Sequence, residues 1–175
     1  WIREKFRAAG RSLGFVYTPR EEIEHRHAKL RKWMEAEGMD AFLVVQKMDC
    51  FYLSGTAQDA LLLVSLDQKP LLLVKRELER ARVESPIDLV VGLKSLKQLP
   101  SMVSEHLGRP PRVLGMELDI LPANDFFRFQ SLFSDSKLVD GSRLIKDIRK
   151  IKSPFEIDLM RKAGTIAKTV YQEAG

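Results

Sequence analysis

The sequence predicts an α/β domain, a mixed β-sheet with helices on both faces. Apolar runs of strand length alternate with stretches of helical periodicity, the pattern of a layered α/β fold. The runs 60–66 and 70–74 are separated only by Asp67-Gln68-Lys69, a link too short for anything but an antiparallel hairpin, so the sheet is mixed. Ala41-Phe42-Leu43-Val44-Val45 is continuously apolar, as expected of a central strand covered on both faces.

The elements follow in order. Thr18-Pro19-Arg20-Glu21 supplies a capping hydroxyl, a proline at the first helical position and a glutamate three residues after the cap, so a helix is predicted to start here and to end at Gly38. Ile23, His27, Leu30 and Met34 share one face of it, with Trp33 beside them, and that face is expected to pack on the sheet. After the strand 41–45 and the hairpin come a charged helix at 76–84, a fourth strand at 87–91, a helix at 100–107 closed by Gly108, and a fifth strand at 113–116. A helix at 122–133 carries Phe126, Phe127, Phe129, Leu132 and Phe133, an aromatic stripe of the kind that fills cores. A short edge strand at 137–139 and a helical connector at 142–149 complete the sheet region. Ser153-Pro154-Phe155-Glu156 repeats the helix-start pattern, and Ile157, Met160, Ala163, Ala167 and Val170 form an apolar seam behind it. No later strand receives that seam, so the helix reads as cut off or as borrowing a partner. Its deletion is expected to expose the seam and cause aggregation or loss of a dimer.

A length of 175 residues suits one compact domain, and 45% hydrophobic with 30% charged residues is ordinary for a soluble protein. No apolar run approaches the ~20 residues of a membrane helix, so no membrane association is expected. The single cysteine, Cys50, favours a reducing compartment, and Trp1 to Gly14 lacks the apolar core of a signal peptide, which points to the cytoplasm. The chain opens on Trp1 rather than methionine, so both termini are treated as provisional. The net charge of +5 is dispersed among acids, as in Arg20-Glu21-Glu22-Ile23-Glu24-His25-Arg26, which marks a solvated helix face and no nucleic-acid footprint.

Catalytic patterns are missing. His25, His27 and His106 are the only histidines, and the first two lack the i, i+4 spacing of a zinc helix; His25 is expected to be exposed and His27 partly buried. Neither a Gly-x-Ser-x-Gly elbow nor a cysteine-nucleophile signature is present, and Cys50 reads as a small, semi-buried residue. No glycine-rich phosphate cradle occurs. Glu117 and Asp119 follow a strand and read as a solvated turn.

Two segments together resemble the creatinase/prolidase family. Asp49-Cys50-Phe51-Tyr52-Leu53-Ser54-Gly55-Thr56 is similar to its Tyr-Leu-Thr-Gly element. Leu144-Ile145-Lys146-Asp147-Ile148-Arg149-Lys150-Ile151-Lys152-Ser153-Pro154-Phe155-Glu156-Ile157 is similar to the Arg-x-Ile-Lys-Ser-x-x-Glu-Ile passage leading into the catalytic domain. Gly115-Met116-Glu117 matches the family's Gly-x-Glu strand end, with Leu121-Pro122-Ala123 opening the next helix. The sequence departs from the family at Asp49, commonly Asn, and at Ser54, commonly Thr. The resemblance implies a ribonuclease H-like layered N-terminal domain at 18–150, an N-terminal extension at 1–17, and at 151–175 a linker and the start of the helix entering a catalytic domain.

That second domain holds two divalent metals, Mn, Co or Zn, and no residues past Gly175 are present to supply the ligands. The resemblance therefore places no catalytic residue and no metal ligand on this chain, which alone is expected to be inactive. It implies a homodimer and a parent acting on proline-containing peptides, with two alternatives: an interaction module of a relative that has lost catalysis, or the N-terminal domain of a creatinase-like small-amide hydrolase. Phe51 and Tyr52 are the candidate substrate-facing or interface aromatics it implies, and packing beneath the first strand is the competing placement.

Overall fold

The computed structural model describes residues 2–174, over which eight helices and six strands form one layered unit. Helices α1 (Ile2–Ser12) and α2 (Arg20–Ala36) precede β1 (Ala41–Val44), α3 (Lys47–Ser54), β2 (Ala60–Ser65), β3 (Leu71–Val74), α4 (Leu78–Glu84) and β4 (Leu89–Gly92). A short 3-10 helix (Leu96–Gln98) leads into α5 (Leu99–Leu107), β5 (Val113–Met116), α6 (Ala123–Leu132), β6 (Lys137–Asp140), α7 (Ser142–Lys150) and α8 (Pro154–Glu173).

The sheet order is β4-β3-β2-β1-β5-β6, so β1 is interior and β6 an edge, as the sequence predicts. The hairpin pairs β2 with β3 antiparallel, and β1 is antiparallel to β2. The remaining pairs, β3 with β4, β1 with β5 and β5 with β6, are parallel.

Strand alternation divides the core in two. Phe42, Val44, Leu62, Val64, Leu72 and Val74 meet α2, α3, α4 and α7 on one face, where Leu30, Leu53, Ala81 and Ile145 are buried. Leu43, Leu61, Leu63, Leu73, Leu114 and Met116 meet α5 and α6 on the other, against Val103, Phe129 and Phe133. Phe42 lies so close to β5 that a Cβ on Gly115 would sit 2.7 Å from its ring and 2.6 Å from the Met39 sulfur, which is why that strand position carries no side chain.

Several expectations are corrected. Helix α2 starts at Arg20 with Pro19 at its N-cap and no side-chain cap. Thr18 is instead buried beside Gly55, so its hydroxyl is not turned to the helix end. His27 is fully buried, its Nε2 lying 2.7 Å from the Leu53 carbonyl, and Cys50 is buried as well. Of the aromatic stripe on α6, Phe129 and Phe133 are core residues while Phe127 faces solvent. Within the predicted extension, Ile2–Ser12 form α1, which lies against α4. In α8 no side chain is buried, so Ile157 and Met160 are already exposed with the helix in place, and its deletion uncovers no buried seam.

Candidate functional site

The two sequence segments that carry the family resemblance meet on the face that bears α2 and α7. Residues 47–54, with no element predicted from sequence, form α3. Its start is capped by the Gln46 side chain, which accepts from the Asp49 backbone at 2.6 Å. Its end is closed by Gly55 in the left-handed region, φ 76, where its N–H donates to the Phe51 carbonyl at 2.8 Å. Cys50 and Leu53 point into the core, while Met48 and Phe51 point out. Phe51 is 41% exposed and so does not pack beneath β1; Tyr52 is half-buried, its ring against that core.

Tyr52 is the hub of this region. The Arg26 guanidinium lies 3.9 Å from its ring centroid and that of Arg149 lies 5.7 Å away, a stacked cationic arrangement. Arg26, itself buried, donates Nη1 to the Tyr52 carbonyl at 2.5 Å and pairs with Glu22 at 2.8 Å and Glu156 at 3.3 Å. Glu156 also accepts from the Ser153 backbone at 2.8 Å, while Ser153 Oγ accepts from the Glu156 backbone at 3.1 Å, completing the predicted capping box. Arg149 pairs with Asp49 at 2.6 Å. Helices α2, α3 and α7 and the first turn of α8 are therefore fastened at one point. Burial raises the Tyr52 hydroxyl above its usual range, and burial, opposed by Arg149, does the same to Asp49. Beside the ring a recess of about 440 Å³ is lined by Tyr52, Lys146, Arg149, Lys150, Lys152 and Glu156.

Beneath the entry to α3, Glu117 is buried rather than solvated. Its carboxylate accepts from the backbone N–H of Val45 at 3.0 Å and Gln46 at 3.4 Å, groups that the end of β1 leaves without ladder partners. Burial pushes its pKa up to about 7 against those hydrogen bonds. Asp119 does stay at the surface, paired with Lys146.

Chemistry at this site is limited by what the groups already do. Burial pushes the Cys50 thiol up to about 12, which leaves no nucleophilic thiolate at neutral pH. His27 is committed to Leu53 and His106 to the Lys69 carbonyl, and among the described residues no three His, Cys, Asp or Glu side chains converge as metal ligands. The donors present thus do not fit a dinuclear metal centre. Among the described residues no helix is long and apolar enough to cross a membrane. What the arrangement can do is present an exposed aromatic, Phe51, beside Tyr52, which Arg26 ties to the start of α8.

The Creatinase/Prolidase N-terminal domain model matches residues 26–151, which excludes α1 and the whole of α8. An uncharacterised hydrolase/peptidase of Sinorhizobium fredii, y4tL, is 26% identical over 175 aligned residues, covering 89% of this chain and 45% of that protein. The Xaa-Pro dipeptidase of Pyrococcus furiosus is 27% identical over 148 residues, covering 83% of this chain and 40% of its own. Among solved structures, a Xaa-Pro dipeptidase from Bacillus anthracis superposes with a TM-score of 0.77 over 86% of this chain and 42% of that one, at 22% identity. The chain spans less than half the length of these relatives. With a family match over most of its length and the same layered fold, the chain belongs to the Creatinase/Prolidase N-terminal domain family.

Proposed function

We propose that this chain is the non-catalytic N-terminal domain of a metal-dependent Xaa-Pro peptidase, serving self-association and the shaping of the active-site entrance. The observation that supports this reading best is Phe51, exposed on α3 within the Tyr-Leu-Ser-Gly segment while its neighbour Tyr52 is fastened to the start of α8. A rigid aromatic at the edge of a domain is a common contact element for substrates and partner subunits. Residues 18–150 form the domain and 151–175 the connector in this reading. The two divalent metals, Mn, Co or Zn, are held by residues outside this chain, and proline-containing peptides are the substrates. The assembly is a homodimer in the cytoplasm.

The test compares this chain with a longer protein containing it, on a Xaa-Pro dipeptide and a longer Xaa-Pro peptide with Mn²⁺ added. Activity is expected only in the longer protein, with Phe51→Ala raising KM several-fold there. Hydrolysis by this chain alone overturns the non-catalytic reading, and hydrolysis by neither favours an interaction module or a small-amide substrate.

A further inference from the structure

We propose that the junction of α1 and α2 is a binding site for a small multivalent oxyanion of the phosphate class, held by Arg3, Arg7, Arg11 and Arg20. The site lies outside the matched family domain, on an element the sequence pattern left unexplained.

Arg3, Arg7 and Arg11 recur at intervals of four residues and so share one face of α1. That face borders a recess of about 240 Å³, which Arg20 also lines from the start of α2. Four arginines thus line it together with two glutamates, Glu4 and Glu21. The large apolar side chains beside it are left in solvent: Phe6 is 60% exposed, and Leu13 just beyond the helix is 77% exposed. An amphipathic helix ordinarily docks by its apolar face, so a helix that buries Arg7 and leaves Phe6 exposed is built around charge.

Arg7 is the buried member, at 9% exposure. Its guanidinium lies 4.9 Å from the Tyr17 ring centroid and donates one hydrogen bond to the Thr18 carbonyl at 3.4 Å, which leaves most of its five N–H donors for a ligand. The Tyr17 ring occupies the space that a side chain at Gly10 would fill, so the backbone itself is cut away to seat the stack. Arg20 pairs with Asp88 at 2.7 Å. Among the described residues Arg3, Arg7 and Arg11 make no ion pair with a carboxylate. Burial first, and then the nearby charges of Arg7 and Arg20, hold the Arg3 pKa below its ordinary value. An anion in the recess relieves this crowding, and the guanidinium fork matches phosphate oxygens two at a time.

Size and shape select the ligand class. The recess is smaller than the ~300 Å³ at which drug-sized pockets begin, which suits pyrophosphate or a small phosphomonoester. A membrane surface or a nucleic-acid backbone would need Arg7 on an open convex face, and it is buried.

The test is titration calorimetry of the full chain with inorganic pyrophosphate and with inorganic phosphate, at constant ionic strength. Wild type is expected to bind pyrophosphate with a Kd below about 1 mM. The double variant Arg3→Gln/Arg11→Gln is expected to bind at least about tenfold more weakly with an unchanged unliganded Tm, while Arg128→Gln on α6 leaves binding intact. Should the double variant fold poorly, Arg11→Gln alone, at an exposed position, still weakens binding about threefold in this scheme. Absence of binding at 10 mM pyrophosphate overturns the site, as does equal affinity in the arginine variants. Association with phosphatidic acid vesicles but not with pyrophosphate overturns it also.

Discussion

Between pH 4.5 and 7, two buried groups of this domain titrate with opposite effects on stability. Burial pushes Glu117 up from 4.5 to about 7, so across that window the folded state keeps a proton that the unfolded chain has released. Its contribution is fully present below pH 4.5 and is lost as the pH rises through 7. Burial pushes His27 down from 6.5 to about 4, with the cations of Arg31 and Arg26 acting in the same direction. There the unfolded chain holds the extra proton, so stability is fully present above pH 6.5 and is lost as the pH falls through 4. Each displacement corresponds to roughly 3 kcal/mol, and the two nearly cancel in the wild type. His27→Gln, which keeps a donor for the Leu53 carbonyl, leaves Glu117 unopposed, and Glu117→Gln does the reverse. Urea unfolding at pH 4.5, 5.5, 6.5 and 7.5 should show the difference from wild type growing with pH for His27→Gln and shrinking with pH for Glu117→Gln, each by roughly 3 kcal/mol. The double variant should regain the wild-type slope, because the two groups share no partner. Parallel difference curves, or two slopes of the same sign, would refute the assignment of these groups.

Arg26→Ala leaves Glu22, Glu156 and the Tyr52 carbonyl without their common donor, and denaturant unfolding should show a loss of roughly 3 kcal/mol, partly restored by lysine. Gly55→Ala forces a side chain into the left-handed region with its Cβ 3.2 Å from Pro86, and should cost about 1–2 kcal/mol by the same assay. Gly115→Ala drives a methyl into Phe42 and Met39, and thermal unfolding should reveal a loss of about 1–3 kcal/mol with a disturbed near-UV spectrum. Ending the chain at Lys152 removes the Glu156–Arg26 tie and no buried α8 side chain, so the Tm should fall by no more than about 2–4 °C. A collapse of the cooperative transition in that truncation would mean that α8 packs on the sheet region after all.

What the sequence showed, and what it hid, follows the range of the interactions involved. The strands were legible because alternating or continuous apolar character is written within five residues. The capping box at Ser153 and Glu156 was legible because both its hydrogen bonds span three residues. Helix α3 was not, since only Cys50 and Leu53 of its eight residues are apolar and buried, and its placement rests on Arg26 reaching the Tyr52 carbonyl from 26 residues earlier. Arg26 itself sits in a charged run that reads as solvated; Glu156, 130 residues later, is what allows it to be buried. Glu117 looked like a surface acid for the same reason, because the backbone donors that hold it belong to Val45 and Gln46, more than 70 residues away. Phe51 and Tyr52 were picked out by resemblance, but which of them is exposed depends on the helical turn that the local pattern did not reveal.

The strand order also sets a timetable for the chain as it leaves the ribosome. Four of the six strands, β1 to β4, are complete by Gly92 and can pair as β4-β3-β2-β1 without the rest. The second edge of β1 stays open until β5 ends at Met116, 24 residues later, an interval on the order of 1–5 s at ordinary translation rates. Through that interval the nascent sheet presents Ala41-Phe42-Leu43-Val44 as a bare, wholly apolar edge, the form of strand most prone to recruit a neighbouring chain. Codon choice and chaperone supply over residues 92–116 should therefore govern the yield of folded protein more than the stability it finally attains.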